Sequence, residues 1–104
     1  MTTKHKYNSH DLFRDHGDLS FGEILRGFRL SDELSQIEFA KKLDISPANL
    51  CDLEKGRKIP GPMRAIRIAR KLGLSETFLL QVALQDILRR EKIKYRVTIE
   101  ARAS

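Results

Sequence analysis

The chain has 104 residues, with 20 Lys or Arg against 14 Asp or Glu, so its formal net charge is +6. This length predicts a single domain with tails and a thin hydrophobic core that burial against a second copy or a partner would strengthen. One cysteine excludes an internal disulfide framework, and without an apolar run or a signal peptide we expect a cytoplasmic protein that does not span a membrane.

Residues 1–18 are polar and lack a sustained periodicity, which predicts a flexible N-terminal arm. An alternative is that this arm becomes ordered on a partner. Its three histidines, His5, His10 and His16, lack the paired spacing and the nearby cysteine of a zinc site, so we expect no metal ion.

A compact domain is predicted over residues 19–90, and its first helix begins at Ser20. Ser20 and Glu23 have the spacing of a capping box, in which each side chain accepts a hydrogen bond from the other residue's backbone amide. We expect this helix to continue to about Leu30. Its apolar stripe consists of Phe21, Ile24, Leu25 and Phe28.

Two further helix starts lie close together, at Ser35 and Ser46. Ser35 and Glu38 form a second capping box, and Ser46 precedes a proline at the first helical position. Gly56 ends the second of these helices in a left-handed conformation. The apolar positions between the two helices are Ile37, Ala40, Leu43, Ile45, Leu50 and Leu53. Two short helices joined by a tight turn predict a helix-turn-helix, for which DNA is the expected ligand.

Two more helices follow a turn that contains Pro60 and Pro62. The fourth helix is predicted over 62–72, and Ser75 begins the fifth. We expect the fourth helix to bury Met63, Ile66, Ala69 and Leu72. The apolar positions of the fifth helix are Phe78, Leu79, Val82, Ala83, Ile87 and Leu88. These exceed what four short helices can cover, which predicts a homodimer interface.

Residues 91–104 are predicted to form an extended strand and tail. Ile93, Tyr95, Val97 and Ile99 alternate with polar residues, which is the period of a β-strand. A lone strand needs a ladder partner, so we expect it to pair between chains, either with its copy in an antiparallel ribbon or with the sheet of a different protein. The alternative is a frayed tail.

The excess of positive charge lies in residues 61–104, which carry ten basic residues against four acidic ones. This distribution indicates DNA or an acidic protein as a partner.

A resemblance to the Cro/C1-type (Xre-family) helix-turn-helix is carried by Gln36, Ala40, Ile45, Ser46, Leu50, Leu53, Glu54, Gly56 and Pro60. It implies an all-α, five-helix, lambda-repressor-like DNA-binding domain. It also implies a structural ion pair between Arg29 and Glu54, which would hold the first helix to the recognition helix. Two positions depart from the family pattern. Asp44 replaces the usual turn glycine, and Cys51 stands where Ser or Thr is common.

In this motif the second helix enters the major groove. The resemblance implies base contacts from Pro47, Ala48 and Asp52, while Gln36 opens the preceding helix beside a phosphate. Asn49 is the best candidate for bidentate contact with adenine. The remaining predicted DNA-binding residues are Ser46, which leads into the groove, and Lys55, Arg57 and Lys58, which would bind phosphates.

This set of base contacts is weak. Pro47 and Ala48 offer only apolar contact, for instance with a thymine methyl group, and Asp52 accepts from cytosine but repels phosphates. We therefore expect modest affinity for each monomer, with specificity supplied by dimer spacing and DNA shape.

The leading hypothesis is a sequence-specific, dimeric transcriptional repressor. The motif followed by residues 84–97 resembles HigA-like antitoxins, which implies the antitoxin of a type II toxin–antitoxin pair that represses its own operon and binds a RelE/HigB-like toxin. The alternatives are a free-standing Xre-family regulator and a protein-interaction module with vestigial DNA binding. With no catalytic constellation and no histidine base beside Cys51, we expect neither enzyme activity nor a cofactor.

Overall fold

The computed structural model describes residues 19–103. It contains five helices: α1 (Phe21–Ser31), α2 (Gln36–Leu43), α3 (Pro47–Glu54), α4 (Pro62–Leu72) and α5 (Glu76–Arg90). The prediction of five helices is confirmed. The arm predicted over 1–18, with its three histidines, lies outside the described residues. Within 19–103 no helix is long and apolar enough to cross a membrane, and no three or more His, Cys, Asp or Glu residues form a group that could hold a metal ion.

Serine residues begin four of these five helices. The side chains of Ser20, Ser35, Ser46 and Ser75 each accept a hydrogen bond from the backbone amide three residues later. Ser20 and Ser35 form the two complete capping boxes that the sequence predicts. The helix starts are therefore set locally, by side chains within one turn of the backbone groups that they satisfy.

The turn between α2 and α3 contains Asp44 in the left-handed region, with φ 61° and ψ 44°. Aspartate adopts this region more readily than most residues, so it can occupy the position at which glycine is usual. Its amide donates to the carbonyl groups of Ala40 and Lys41. The sharp turn therefore orients α3 against α2 without glycine.

The hydrophobic core receives side chains from all five helices. Its largest fully buried members are Phe21, Phe39, Leu25, Leu50, Ile68 and Leu79. Ala40, a residue of α2, is also fully buried in this core.

The expected buried faces of α2 and α4 are wrong in part. Ile37 is 70% exposed, whereas Phe39 is fully buried, and Met63 is 57% exposed, whereas Ala65 is fully buried. Residues two apart on a helix lie about 200° apart around its axis. Burial of Phe39 and Ala65 therefore turns Ile37 and Met63 towards solvent.

The first turn of α1 lies very close to the end of α3 at Gly22. A β-carbon on Gly22 would collide with the carbonyl oxygen of Leu53 and lie 2.8 Å from that of Glu54. Only glycine permits the backbones to approach this closely.

The buried carboxylate of Asp86 holds α5 against the beginning of α1. The amide of Phe21 donates to Asp86 Oδ2 at 2.8 Å, and Arg89 Nη2 donates to Asp86 Oδ1 at 2.8 Å. Burial raises the pKa of Asp86 despite both hydrogen bonds.

We expect Asp86→Asn to retain most of the free energy of unfolding at neutral pH, because the amide oxygen can still accept from Phe21. Asp86→Ala orphans that buried amide and is expected to cost about 1–3 kcal/mol. The raised pKa also fixes the sign of the pH dependence. The stability of the wild type relative to Asp86→Asn is greatest below the unfolded-state pKa near 3.8 and falls as pH rises through the folded-state value. Urea titrations at several pH values would contradict this if the free energy of unfolding of the wild type, relative to that of Asp86→Asn, increased as the pH rose.

The C-terminal segment, defined here as residues 93–103, forms no β-strand. The predicted strand is therefore wrong for the isolated chain. A turn with Lys92 at φ 60° returns the chain towards α5. Two glutamines of that helix then bind its backbone, so side chains satisfy groups that were expected to require a β-ladder.

Three hydrogen bonds join the C-terminal segment to α5. Gln85 Oε1 accepts from the Val97 amide at 2.7 Å, and Gln85 Nε2 donates to the Tyr95 carbonyl at 2.8 Å. Gln81 Oε1 accepts from the Ile99 amide at 3.1 Å. Val97 and Ile99 are half-buried, whereas Tyr95 is 76% exposed.

Candidate nucleic-acid interface

The first residues of α3 are presented at the surface. Ser46, Pro47 and Ala48 are exposed and Asn49 is half-buried, while Leu50 is fully buried. The Ser46 hydroxyl accepts from the Asn49 amide at 3.0 Å, and proline at the first helical position sacrifices no intrahelical hydrogen bond. The start of α3 is thus an exposed, uncharged surface on a helix whose Leu50 is buried in the core.

A network of hydrogen bonds centred on Glu54, the last residue of α3, joins this helix to α1 and α2. Arg29 Nε lies 2.7 Å from Glu54 Oε2, and Arg29 Nη2 lies 3.1 Å from Oε1. This bidentate pair joins α1 to α3. Glu54 is only 8% exposed, and its hydrogen bond with Arg29 raises the pKa of the guanidinium.

Gln36 belongs to the same network, a contact that the sequence reasoning missed. Its Nε2 donates to Glu54 Oε1 at 3.1 Å. Arg29 Nη1 also donates to the Leu34 carbonyl at 3.1 Å, between α1 and α2. The side-chain nitrogen of Gln36 is therefore engaged inside the protein, and a phosphate contact by this residue stays a prediction.

Asp52 is held by two of the residues predicted to bind phosphates. Arg57 Nε lies 2.9 Å from Asp52 Oδ1, and Lys58 Nζ lies 3.4 Å from Oδ2. Arg57 also donates to the Cys51 sulfur at 3.5 Å. The hydrogen bond from Arg57, assisted by Lys58, holds the pKa of Asp52 below its ordinary value. A carboxylate predicted to contact a base is therefore already neutralised by neighbouring cations.

Arg90 is a further basic residue beside this cluster, and it was not among the predicted DNA-binding residues. Its Nη2 donates to the Gly56 carbonyl at 2.7 Å, just beyond the end of α3. A cation is favourable there because helix C-termini carry unsatisfied carbonyl groups. The basic excess of residues 61–104 was the only signal in the sequence, and it did not single out this position.

Apart from Gln36, which lies on α2, and the acidic Asp52, the predicted DNA-binding residues fall into two groups around α3. The beginning of the helix carries uncharged side chains, whereas the positive groups lie at its end, on Lys55, Arg57 and Lys58, with Arg90 added from α5. This arrangement suits DNA, because the positive groups can bind its charged phosphates while the uncharged start of α3 contacts its uncharged bases.

Comparison with known proteins identifies the same motif. A family model described as Helix-turn-helix (HTH_3) matches residues 25–79. Endothelial differentiation-related factor 1 of Homo sapiens and that of Rattus norvegicus are each 32% identical to the chain over 73 residues, which is 70% of this chain and 49% of the relative. The chain therefore spans about half the length of these curated relatives. No solved structure matches it.

Proposed function

The chain belongs to the helix-turn-helix (HTH_3) family of DNA-binding regulators, and from this premise we propose that it is a sequence-specific transcriptional repressor that binds its operator as a homodimer. The observation that carries the proposal is the exposure of residues 46–48 at the start of a helix whose other side is anchored in the core.

In the proposed complex the start of α3 enters the major groove. Pro47 and Ala48 contact thymine methyl groups, and Asn49 pairs with an adenine edge. Lys55, Arg57 and their neighbour Lys58 bind phosphates, which sets the orientation of the domain. So small a reading surface needs a second copy, because two half-sites at fixed spacing supply the discrimination that one monomer lacks.

The simplest test is a binding titration with a duplex from the region upstream of the coding sequence and a scrambled duplex of equal composition. We expect the upstream duplex to bind at least about 1,000-fold more tightly, the lower end for specific recognition. Equal affinities would refute sequence-specific recognition and favour the protein-interaction module.

We further propose that the repressor is the antitoxin of a type II pair. The resemblance of residues 84–97 to HigA-like antitoxins and the basic excess of 61–104 support a RelE/HigB-like partner, bound by an added strand or arm. Co-purification of the small protein encoded beside this chain would support the pair. If the two purified proteins form no complex when they are mixed, the antitoxin proposal fails and the chain is a free-standing regulator.

The ion pairs of Asp52 give a prediction about phosphate binding. We expect Arg57→Ala to weaken binding to every duplex and to reduce the slope of log K against log salt by about one unit. Asp52→Asn frees the Arg57 guanidinium from its ion pair and removes a negative charge that repels phosphates. It should therefore raise the affinity for the scrambled duplex and steepen the slope of log K against log salt.

Arg70→Ala is the matched control for these variants. Arg70 also pairs with a carboxylate, since its Nε lies 2.6 Å from Glu76 Oε2, but it lies outside the proposed interface. We expect its slope to equal that of the wild type. An unchanged slope for Arg57→Ala would remove Arg57 from the phosphate contacts.

A further inference from the structure

The two edges of the C-terminal segment have different surroundings. The Tyr95 carbonyl and the amides of Val97 and Ile99 all face the glutamines of α5. Alternate residues of an extended chain direct their backbone groups to opposite edges. The amide and carbonyl groups of Arg96 and Thr98 therefore face away from α5, and within residues 19–103 they make no hydrogen bond.

We propose that this open edge pairs with the same edge of a second copy, in an antiparallel two-stranded ribbon centred on Val97. The inference rests on the proposed homodimer and specifies how it forms. Residues directly opposite each other in such a ribbon must both direct their backbone groups to the shared edge or both away from it. Even-numbered residues therefore pair with even-numbered ones.

The charges of the segment favour the register centred on Val97. In this register Lys94 lies opposite Glu100 of the second copy, and the two-fold symmetry produces that pair twice. Arg96 lies opposite Thr98, which is neutral. Directly opposite charges of unlike sign stabilise a ribbon, and like charges destabilise it.

The neighbouring registers each create a repulsive pair. A ribbon centred on Arg96 places that residue opposite its own copy. A ribbon centred on Thr98 gains Arg96 opposite Glu100 but also sets Lys94 opposite Arg102. Of these three registers, only the one centred on Val97 pairs unlike charges without opposing like ones among residues 93–103.

The same register covers exposed apolar surface. Tyr95, at 76% exposed, lies opposite Ile99, and Val97 meets its own copy. These are the pairs without mutual hydrogen bonds, in which side chains approach most closely. Aromatic and β-branched residues are well suited to such cross-strand contacts.

Gln81 and Gln85 prepare the segment for pairing. They lie four residues apart, hence on one face of α5, and hold three backbone groups of the segment in place. A segment that is already extended loses less conformational entropy on association. The glutamines therefore act as positioning residues for the ribbon.

Disulfide trapping tests the register directly. In a Cys51→Ser background, we expect Val97→Cys to form a covalent dimer under glutathione buffer, because the two sulfurs face each other across the symmetry axis. Arg96→Cys and Thr98→Cys are matched controls whose copies lie too far apart for a disulfide. A crosslink at either control position without one at Val97→Cys would overturn the register.

Charge reversal tests the proposed ion pairs without cysteine chemistry. We expect Lys94→Glu to raise the dimer dissociation constant about tenfold, since two attractive pairs become repulsive. Adding Glu100→Lys should restore dimerisation, because the reversed charges again oppose each other. Lys71→Glu on α4 is the control for net charge and should leave the dissociation constant unchanged. A double variant no better than Lys94→Glu would overturn the pairing.

Sedimentation without DNA separates this inference from the proposed function. A wild-type protein that stays monomeric at the concentrations used for DNA titration overturns the ribbon, whether or not it binds DNA. A dimer trapped at Val97→Cys that shows no preference for the upstream duplex supports the ribbon and refutes the repressor.

Discussion

Replacing Glu54 with alanine is expected to lower the free energy of unfolding by about 3–5 kcal/mol, because the change leaves a charged guanidinium in a mostly buried site. Glu54 accepts two hydrogen bonds from Arg29 and one from Gln36, and its side chain is 2% exposed against 13% for Arg29. Urea denaturation followed by circular dichroism measures the loss.

The Arg70–Glu76 pair supplies a matched control. Its Nε–Oε2 distance of 2.6 Å is shorter than the 2.7 Å of Arg29–Glu54, but its side chains are 62% and 45% exposed. Water screens an exposed pair, so we expect Glu76→Ala to cost less than about 1 kcal/mol. Similar losses for the two variants would show that burial does not decide the strength of these pairs.

The double variant Arg29→Met, Glu54→Leu tests the cause of the loss. Replacing both partners removes the unpaired charge, so it should recover much of the stability lost in Glu54→Ala. Because Leu also restores side-chain packing at position 54, the variant Arg29→Met, Glu54→Ala separates the two causes: it removes the unpaired charge but leaves that volume empty, and it would recover little if packing were the main loss. The affinity of the Arg29→Met, Glu54→Leu variant for DNA separates stability from the orientation of α3, since the pair also joins α1 to that helix.

Local features of the fold could be predicted from the sequence, because their causes lie within one helical turn. Ser20 and Ser35 cap their helices through backbone groups three residues away, and the preference of Asp44 for the left-handed region is a property of its own side chain. The buried faces of α2 and α4 depend on which side chain the other helices can accommodate. Phe39 displaced Ile37 from the core for that reason.

Contacts between distant parts of the chain could not be predicted from local pattern. The alternation of residues 93–99 indicated an extended segment, but its partners are the glutamines of α5, whose polarity suggested only a solvated face. Asp86 accepts from the amide of Phe21, 65 positions away. In the interface, Asp52 and Arg57 were each assigned to DNA, and their mutual ion pair appears only once the end of α3 is folded.

Gly22→Ala is expected to lower the free energy of unfolding by about 2 kcal/mol or more. Alanine favours a helix over glycine by about 1 kcal/mol, but here its β-carbon meets the carbonyl oxygens of Leu53 and Glu54, which belong to rigid backbone. Gly27→Ala is the matched control on the same helix, since nothing lies within 4 Å of its added β-carbon. We expect Gly27→Ala to raise the free energy of unfolding by about 0.5–1 kcal/mol. A gain in both would mean that α1 can move away from α3 at little cost.

The effects of Gly22→Ala and Glu54→Ala should not add. Moving α1 away from α3 to accommodate a methyl group also lengthens the Arg29–Glu54 hydrogen bonds. Gly22→Ala therefore already weakens part of the interaction that Glu54→Ala removes. Sites that share partners show coupling energies of about 0.5–3 kcal/mol. We therefore expect the double variant to lose less than the sum of the two single losses. Additive losses would mean that the close approach at Gly22 and the ion pair stabilise α3 independently.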